Sequence, residues 1–139
     1  MRGGLVVVYA LLACLAAASP AAAGAKTLVS YEQSGGIAGI RTSLSVTVGG
    51  SARVTTNRSE GISRFKLTVA ELHALKHDLR AARFSTLRGL YDSKTPISDG
   101  IAQTVRYAGR RVTVSTGGRP PARLRTVLDR LSRLAARGD

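Results

Sequence analysis

Two periods of apolar positions run along this chain, and each predicts an element. Val29 and Tyr31 fall opposite Leu28 and Ser30 within Lys26–Glu32, which reads as a strand. Leu44, Val46 and Val48 alternate with Ser43, Ser45 and Thr47, a half-buried strand. Gly49-Gly50 reads as a two-residue hairpin turn, and Ala52, Val54 and Thr56 continue on the return strand. Asn57–Gly61 is a loop, and Ile62–Leu67 makes a third crossing of this meander. Between the first two strands, Ser34-Gly35-Gly36-Ile37-Ala38-Gly39 is expected to be a flexible loop, because glycine opposes regular structure.

The period then lengthens. Thr68-Val69-Ala70-Glu71 is a capping box, and Leu72, Leu75, Leu79 and Ala82 follow as one apolar stripe of a helix. Phe84 and Leu87 anchor its exit, and Ser93–Gly100 reads as a loop. A second hairpin is expected from Ile101–Tyr107 and Arg111–Thr116 around Ala108-Gly109-Arg110. After Pro120-Pro121, which suits a first helical turn, Leu124, Val127, Leu128, Leu131, Leu134 and Ala135 form the apolar face of a last helix. Arg123, Arg130 and Arg137 are expected to line its opposite side, with Asp129 paired to Arg125 or Arg133. The order predicts an α+β fold, with an antiparallel sheet (a meander plus a hairpin) and two amphipathic helices packed on one face. Strand order stays open.

The first residues change the setting. Arg2, an apolar run from Leu5 to Leu15, and Ala21-Ala22-Ala23 after Pro20 predict a secretory signal peptide over residues 1–23. That run is shorter than the roughly 20 residues a spanning helix needs. Residues 24–139 then form a single domain acting outside the cytoplasm. Cys14, the single cysteine, ends Leu11-Leu12-Ala13-Cys14, close to a lipidation box. Leu12 fits that box poorly, and the A-x-A downstream favours ordinary cleavage over lipoprotein anchoring. With no other cysteine, the domain must hold by packing alone.

Charge narrows the partners. A formal net charge of +13, rich in arginine and densest in the C-terminal third, attracts acidic proteins, wall polymers, membranes or nucleic acid. Specific nucleic-acid recognition lacks support: no motif is present, and stacking platforms after the predicted signal peptide are limited to Tyr31, Tyr91, Tyr107, Phe65 and Phe84.

Catalytic constellations are missing as well. His73 and His77 share a helix face, but without the Glu of H-E-x-x-H, and with Lys76 and Arg80 beside them, they read as solvated residues. No nucleophile elbow surrounds any serine. Asp92 and Asp99 read as loop acids rather than a glycosidase pair. The Gly35–Gly39 run has neither the spacing nor the lysine of a phosphate loop. The expectation is a non-enzymatic protein with no cofactor and no metal. The glycine segment is either a plain turn or an apolar tip that contacts a protein partner.

Three motifs occur together: Ser34-Gly35-Gly36-Ile37-Ala38-Gly39-Ile40-Arg41, the helix from Glu71-Leu72-His73-Ala74-Leu75 to Leu79, Ala82 and Phe84, and Pro121-Ala122-Arg123-Leu124 running to Val127 and Leu131. In this order they resemble the emfourin family, small bacterial proteins typified by an inhibitor of thermolysin-like metalloproteases. The likeness covers roughly residues 28–134, with Ile37 where an aromatic is common and Gln103 near an expected tyrosine. The resemblance implies that Tyr31–Arg41 enters or covers the cleft of an extracellular metalloprotease. The partner-binding residues would be Glu32, Ser34, Gly35, Gly36, Ile37, Ala38, Gly39, Ile40 and Arg41. Ile37 or Ile40 would fill an apolar subsite, and Glu32 would either approach the catalytic zinc or remain a surface carboxylate. The alternative is an envelope-associated basic module that holds an anionic polymer or membrane surface.

Overall fold

The alternation of the first strand places Val29 and Tyr31 on the buried side and Ser30 and Glu32 on the other, a pattern repeated across the sheet. The computed structural model describes residues 25–138, so the predicted signal peptide and Cys14 lie outside the described residues. The strands are β1 (Thr27–Gly35), β2 (Ile40–Thr47), β3 (Ser51–Thr56), β4 (Ile62–Lys66), β5 (Leu90–Tyr91), β6 (Ile101–Tyr107) and β7 (Arg110–Ser115). Helices α1 (Val69–Ala81) and α2 (Ala122–Ala136) follow β4 and β7, and a single 3-10 turn spans Phe84–Thr86. All seven strands form one sheet in the order β4-β3-β2-β1-β6-β7-β5, antiparallel except for β5 alongside β7. The class is α+β. The hairpin β6–β7 extends the meander not beside β4, its last strand in chain order, but at the opposite end, where β6 pairs with β1 and makes it an interior strand. The two-residue β5 is too short to leave a periodic signal.

Turns depart from their expected lengths. Ser34 and Gly35 belong to β1, paired with Arg41 and Ile40 on one side and with Ala102 and Ile101 on the other. The expected flexible loop is therefore only the turn Gly36–Gly39. Val48 leaves the strand and is exposed, and the β2–β3 connection is Val48-Gly49-Gly50 rather than Gly49-Gly50 alone. Its closure explains the extra residue: the Gly50 N–H donates to the Thr47 carbonyl (2.9 Å) and the Ser51 N–H to Thr47 Oγ1 (3.0 Å). Arg110 pairs with Tyr107, so the second hairpin turns on Ala108-Gly109 alone, both with positive φ (49° and 75°).

The core is one cluster. Val29, Tyr31, Leu44, Val46, Ala52, Val54, Val105, Val112 and Val114 from the strands join Leu75, Leu79 and the six predicted apolar residues of α2. Tyr31 carries its hydroxyl into this core at 1% exposure. The phenol donates to Gln33 Oε1 (2.9 Å) and accepts from Gln103 Nε2 (3.0 Å). Burial pushes it above its ordinary pKa, while hydrogen bonding to Ser132 and Gln103 offsets part of the rise.

α1 starts on the predicted capping box, with Thr68 Oγ1 accepting from the Glu71 N–H and Glu71 Oε2 accepting from the Thr68 N–H. The arginines of α2 overturn the expected solvent stripe. Arg123 donates to Thr86 Oγ1, Arg130 pairs with Asp78, and Arg137 pairs with Glu71 (2.9 Å) while stacking on Phe65. Sevenfold spacing does place the three on one side of α2, but that side faces α1 and its exit turn. The helices consequently run antiparallel. Asp129 is in none of the ion pairs among the described residues.

Two outcomes are expected. Ala108→Asn should raise stability by about 1 kcal/mol, because asparagine tolerates the left-handed backbone that costs alanine about that much; urea unfolding reads it. Glu71 is held below its ordinary carboxylate pKa chiefly by the Thr68 backbone N–H and to a lesser extent by the Arg137 guanidinium. Its contribution should be fully present above the unfolded-state value and vanish as pH falls through the lower folded one. Glu71→Gln should therefore lower the thermal midpoint at pH 7, with the gap to the parent closing on acidification.

Candidate functional site

The tip of the β1–β2 hairpin is braced from both sides. On the β6 side, Gly35 has φ +122°, and a Cβ placed there would lie 2.2 Å from the Gly100 carbonyl oxygen. Only glycine lets the two backbones approach this closely. The next residue, Gly36, donates its N–H to that same carbonyl (3.3 Å). On the β3 side, Asn57 clamps β2: its Oδ1 accepts from the Arg41 N–H (2.8 Å) and its Nδ2 donates to the Gly39 carbonyl (2.9 Å). The turn closes on itself through the Gly39 N–H and the Gly36 carbonyl (3.0 Å).

This frame carries an apolar end. Ile37 is 90% exposed, and Ala38 beside it is exposed too. Ile40 and Ile101 flank Gly35 in register on β2 and β6, half-buried and 40% exposed respectively, and Ile97 in the β5–β6 connection is also exposed. Isolated apolar side chains on a surface are ordinary; here several lie at one sheet end, one of them almost fully in water, and form an exposed apolar patch.

The expected site residues do not all gather there. Gly36, Ile37, Ala38 and Gly39 form the turn, with Gly35 and Ile40 at its base. Ser34 is a paired strand residue. Glu32 lies four residues before Gly36, about 13 Å along an extended strand. By register it shares a face with Ser43 and Thr104, opposite to the side of Ile40, and it pairs with Arg41 (3.6 Å). The structure thus separates the carboxylate from the apolar tip. Asn57, Gly100 and Ile101 complete the site and were missed, since their contacts join positions 16 to 66 residues apart; only the turn signals Asn57 and Asp99-Gly100 mark them locally.

The other candidates stand apart. His73 and His77 are exposed on α1, and among the described residues no three His, Cys, Asp or Glu side chains group as metal ligands. Asp92 accepts the N–H of Ser93 (2.8 Å), as turn acids do.

No protein-family model matches this chain, and neither does any curated protein. The emfourin resemblance therefore has its motif residues alone behind it.

The bracing predicts unequal glycines. Gly35→Ala meets both a left-handed backbone and the Gly100 carbonyl, so it should cost well over the roughly 1–3 kcal/mol of backbone strain alone. Gly39→Ala, with φ +57° and open space around a new Cβ, should cost only about 1 kcal/mol. Urea unfolding of the two variants checks the order.

Proposed function

We propose that this protein is an exported, non-enzymatic binding module whose β1–β2 hairpin tip is the contact element for a protein partner. The observation that carries the reading is Ile37, 90% exposed on a turn braced by Gly100 and Asn57. A side chain held on a pre-shaped turn loses little conformational freedom on binding, so more of its burial appears as affinity. Covering an isoleucine releases about 1.5–3 kcal/mol. Both helices are taken to lie on the buried face of the sheet, leaving the hairpin end free to enter a cleft.

The sharpest form of this reading is inhibition of a thermolysin-like metalloprotease, as the emfourin resemblance implies. Ile37 would occupy the apolar subsite. The mechanism would be occlusion, with the positive charge of the chain raising the encounter rate with an acidic enzyme more than the affinity. Glu32 has no part in it, given its distance from the tip. Residues 1–23 would act only in export.

The test is a titration of a thermolysin-like metalloprotease with the purified protein at low and moderate salt. Stoichiometric, salt-tolerant inhibition is expected. Ile37→Asp should raise the inhibition constant about 10- to 100-fold, the equivalent of losing the isoleucine contact, with the circular dichroism spectrum unchanged. An inert parent protein overturns the protease target, and an unchanged constant in the variant overturns the tip.

A further inference from the structure

Strand register assembles a row that crosses six strands. Arg64 on β4 faces Arg53 on β3, which faces Ser45 on β2, then Ser30 on β1, Arg106 on β6 and Arg111 on β7. At the usual strand spacing this row is about 24 Å long. Two arginines stand at each end and two serines at the centre. All six residues belong to the sheet face opposite Val29 and Tyr31.

Nothing within the described residues neutralises these arginines. The three ion pairs there use Arg41, Arg130 and Arg137, and all four arginines of the row are exposed. Like charges directly opposite one another weaken a sheet, and the row holds two such pairs, Arg53 with Arg64 and Arg106 with Arg111. An anion lying on each pair removes that repulsion.

The neighbouring row is a run of hydroxyls. Thr55, Ser43, Thr104 and Thr113 face one another across the strands with Glu32 among them, and Glu32 already pairs with Arg41. Together the rows form a shallow depression of about 340 Å³, floored by serine, threonine and the Arg41-paired carboxylate of Glu32 and bordered by Arg53 and Arg106. By register, Tyr31, Phe65, Tyr91 and Tyr107 all belong to the other face, so a base has nothing to stack on here.

We propose that this face binds an acidic polysaccharide laid across the strands. The guanidinium forks at each end take carboxylates bidentately, and the central hydroxyls exchange hydrogen bonds with the sugars between. A small anion can satisfy only one arginine pair. A polymer reaches both and gains by linkage. The site shares no residue with the hairpin tip and does not depend on export.

Binding of polygalacturonate to the purified protein, followed by calorimetry at low and moderate salt, tests this, with neutral dextran, polyphosphate and duplex DNA as comparisons. Polygalacturonate should bind, weaken with salt and exceed the other three. Arg53→Gln/Arg106→Gln should lower its affinity at least tenfold. Arg125→Gln/Arg133→Gln, removing the same charge from exposed positions of α2, should change it less than threefold. Arg53→Lys/Arg106→Lys should recover part of the loss, which a misfolded sheet would not. Equal losses in the two glutamine variants would reduce the effect to net charge and overturn the site. Equal or tighter binding of polyphosphate or DNA would overturn the glycan. Absence of polygalacturonate binding would overturn both, and none of these failures touches the hairpin reading.

Discussion

Strand β1 is the member on which the rest depends, because it is the central strand of the seven and joins the meander, through β2, to the second hairpin, through β6. An interior strand cannot rotate to accommodate its neighbours. Its alternation therefore assigns the faces for the whole sheet, with Val29 and Tyr31 inward and Ser30 and Glu32 outward. The cost of putting a tyrosine at its centre is a buried hydroxyl, and that group must find partners. Gln33 and Gln103 provide them from β1 itself and from β6, so the polar contact reinforces the pairing that the backbone already makes. No buried side-chain nitrogen or oxygen among the described residues is left without a partner.

The second constraint is the antiparallel helix pair. α2 buries six apolar residues, and its three heptad-spaced arginines reach Thr86, Asp78 and Glu71 along α1 and its exit. The exposed contacts, Arg123 to Thr86 and Arg137 to Glu71, add little stability singly, whereas Arg130 to Asp78 is part-buried. Their value is positional, since three contacts at successive pairs of turns hold one helix at a single offset against the other. With these arginines engaged between the helices and Arg41 paired to Glu32, Arg53, Arg64, Arg106 and Arg111 are left in none of the ion pairs among the described residues.

Legibility in the sequence followed the range of each interaction. The capping box at Thr68, the apolar stripe of α2 and the alternation of Leu44 with Val46 and of Ala52 with Val54 are local, and the structure has them where the pattern puts them, Val48 excepted. Turn lengths were less legible because a single side-chain hydrogen bond, such as that of Thr47 to Ser51, moves a strand end by a residue. Strand order was not legible at all. The pairing of β6 with β1 joins residues about 70 positions apart, and no local pattern encodes it. The same reason hid Asn57 and Gly100 at the hairpin tip. It also misled the reading of α2, where spacing gave the side the arginines share but not what that side faces.

Both candidate surfaces trace back to the register of β6 on β1. That register sets Gly100 against Gly35, where the missing Cβ admits the carbonyl that braces the hairpin. It also sets Arg106 against Ser30, which completes the arginine row, and Val105 against Tyr31, which completes the core. A slip of one residue would turn Arg106 inward and Val105 outward and would bring a different carbonyl to the tip. The apolar core penalises that slip far more than either surface could. The core therefore holds both surfaces in place without contributing a side chain to either, and each can be altered by substitution while the fold remains.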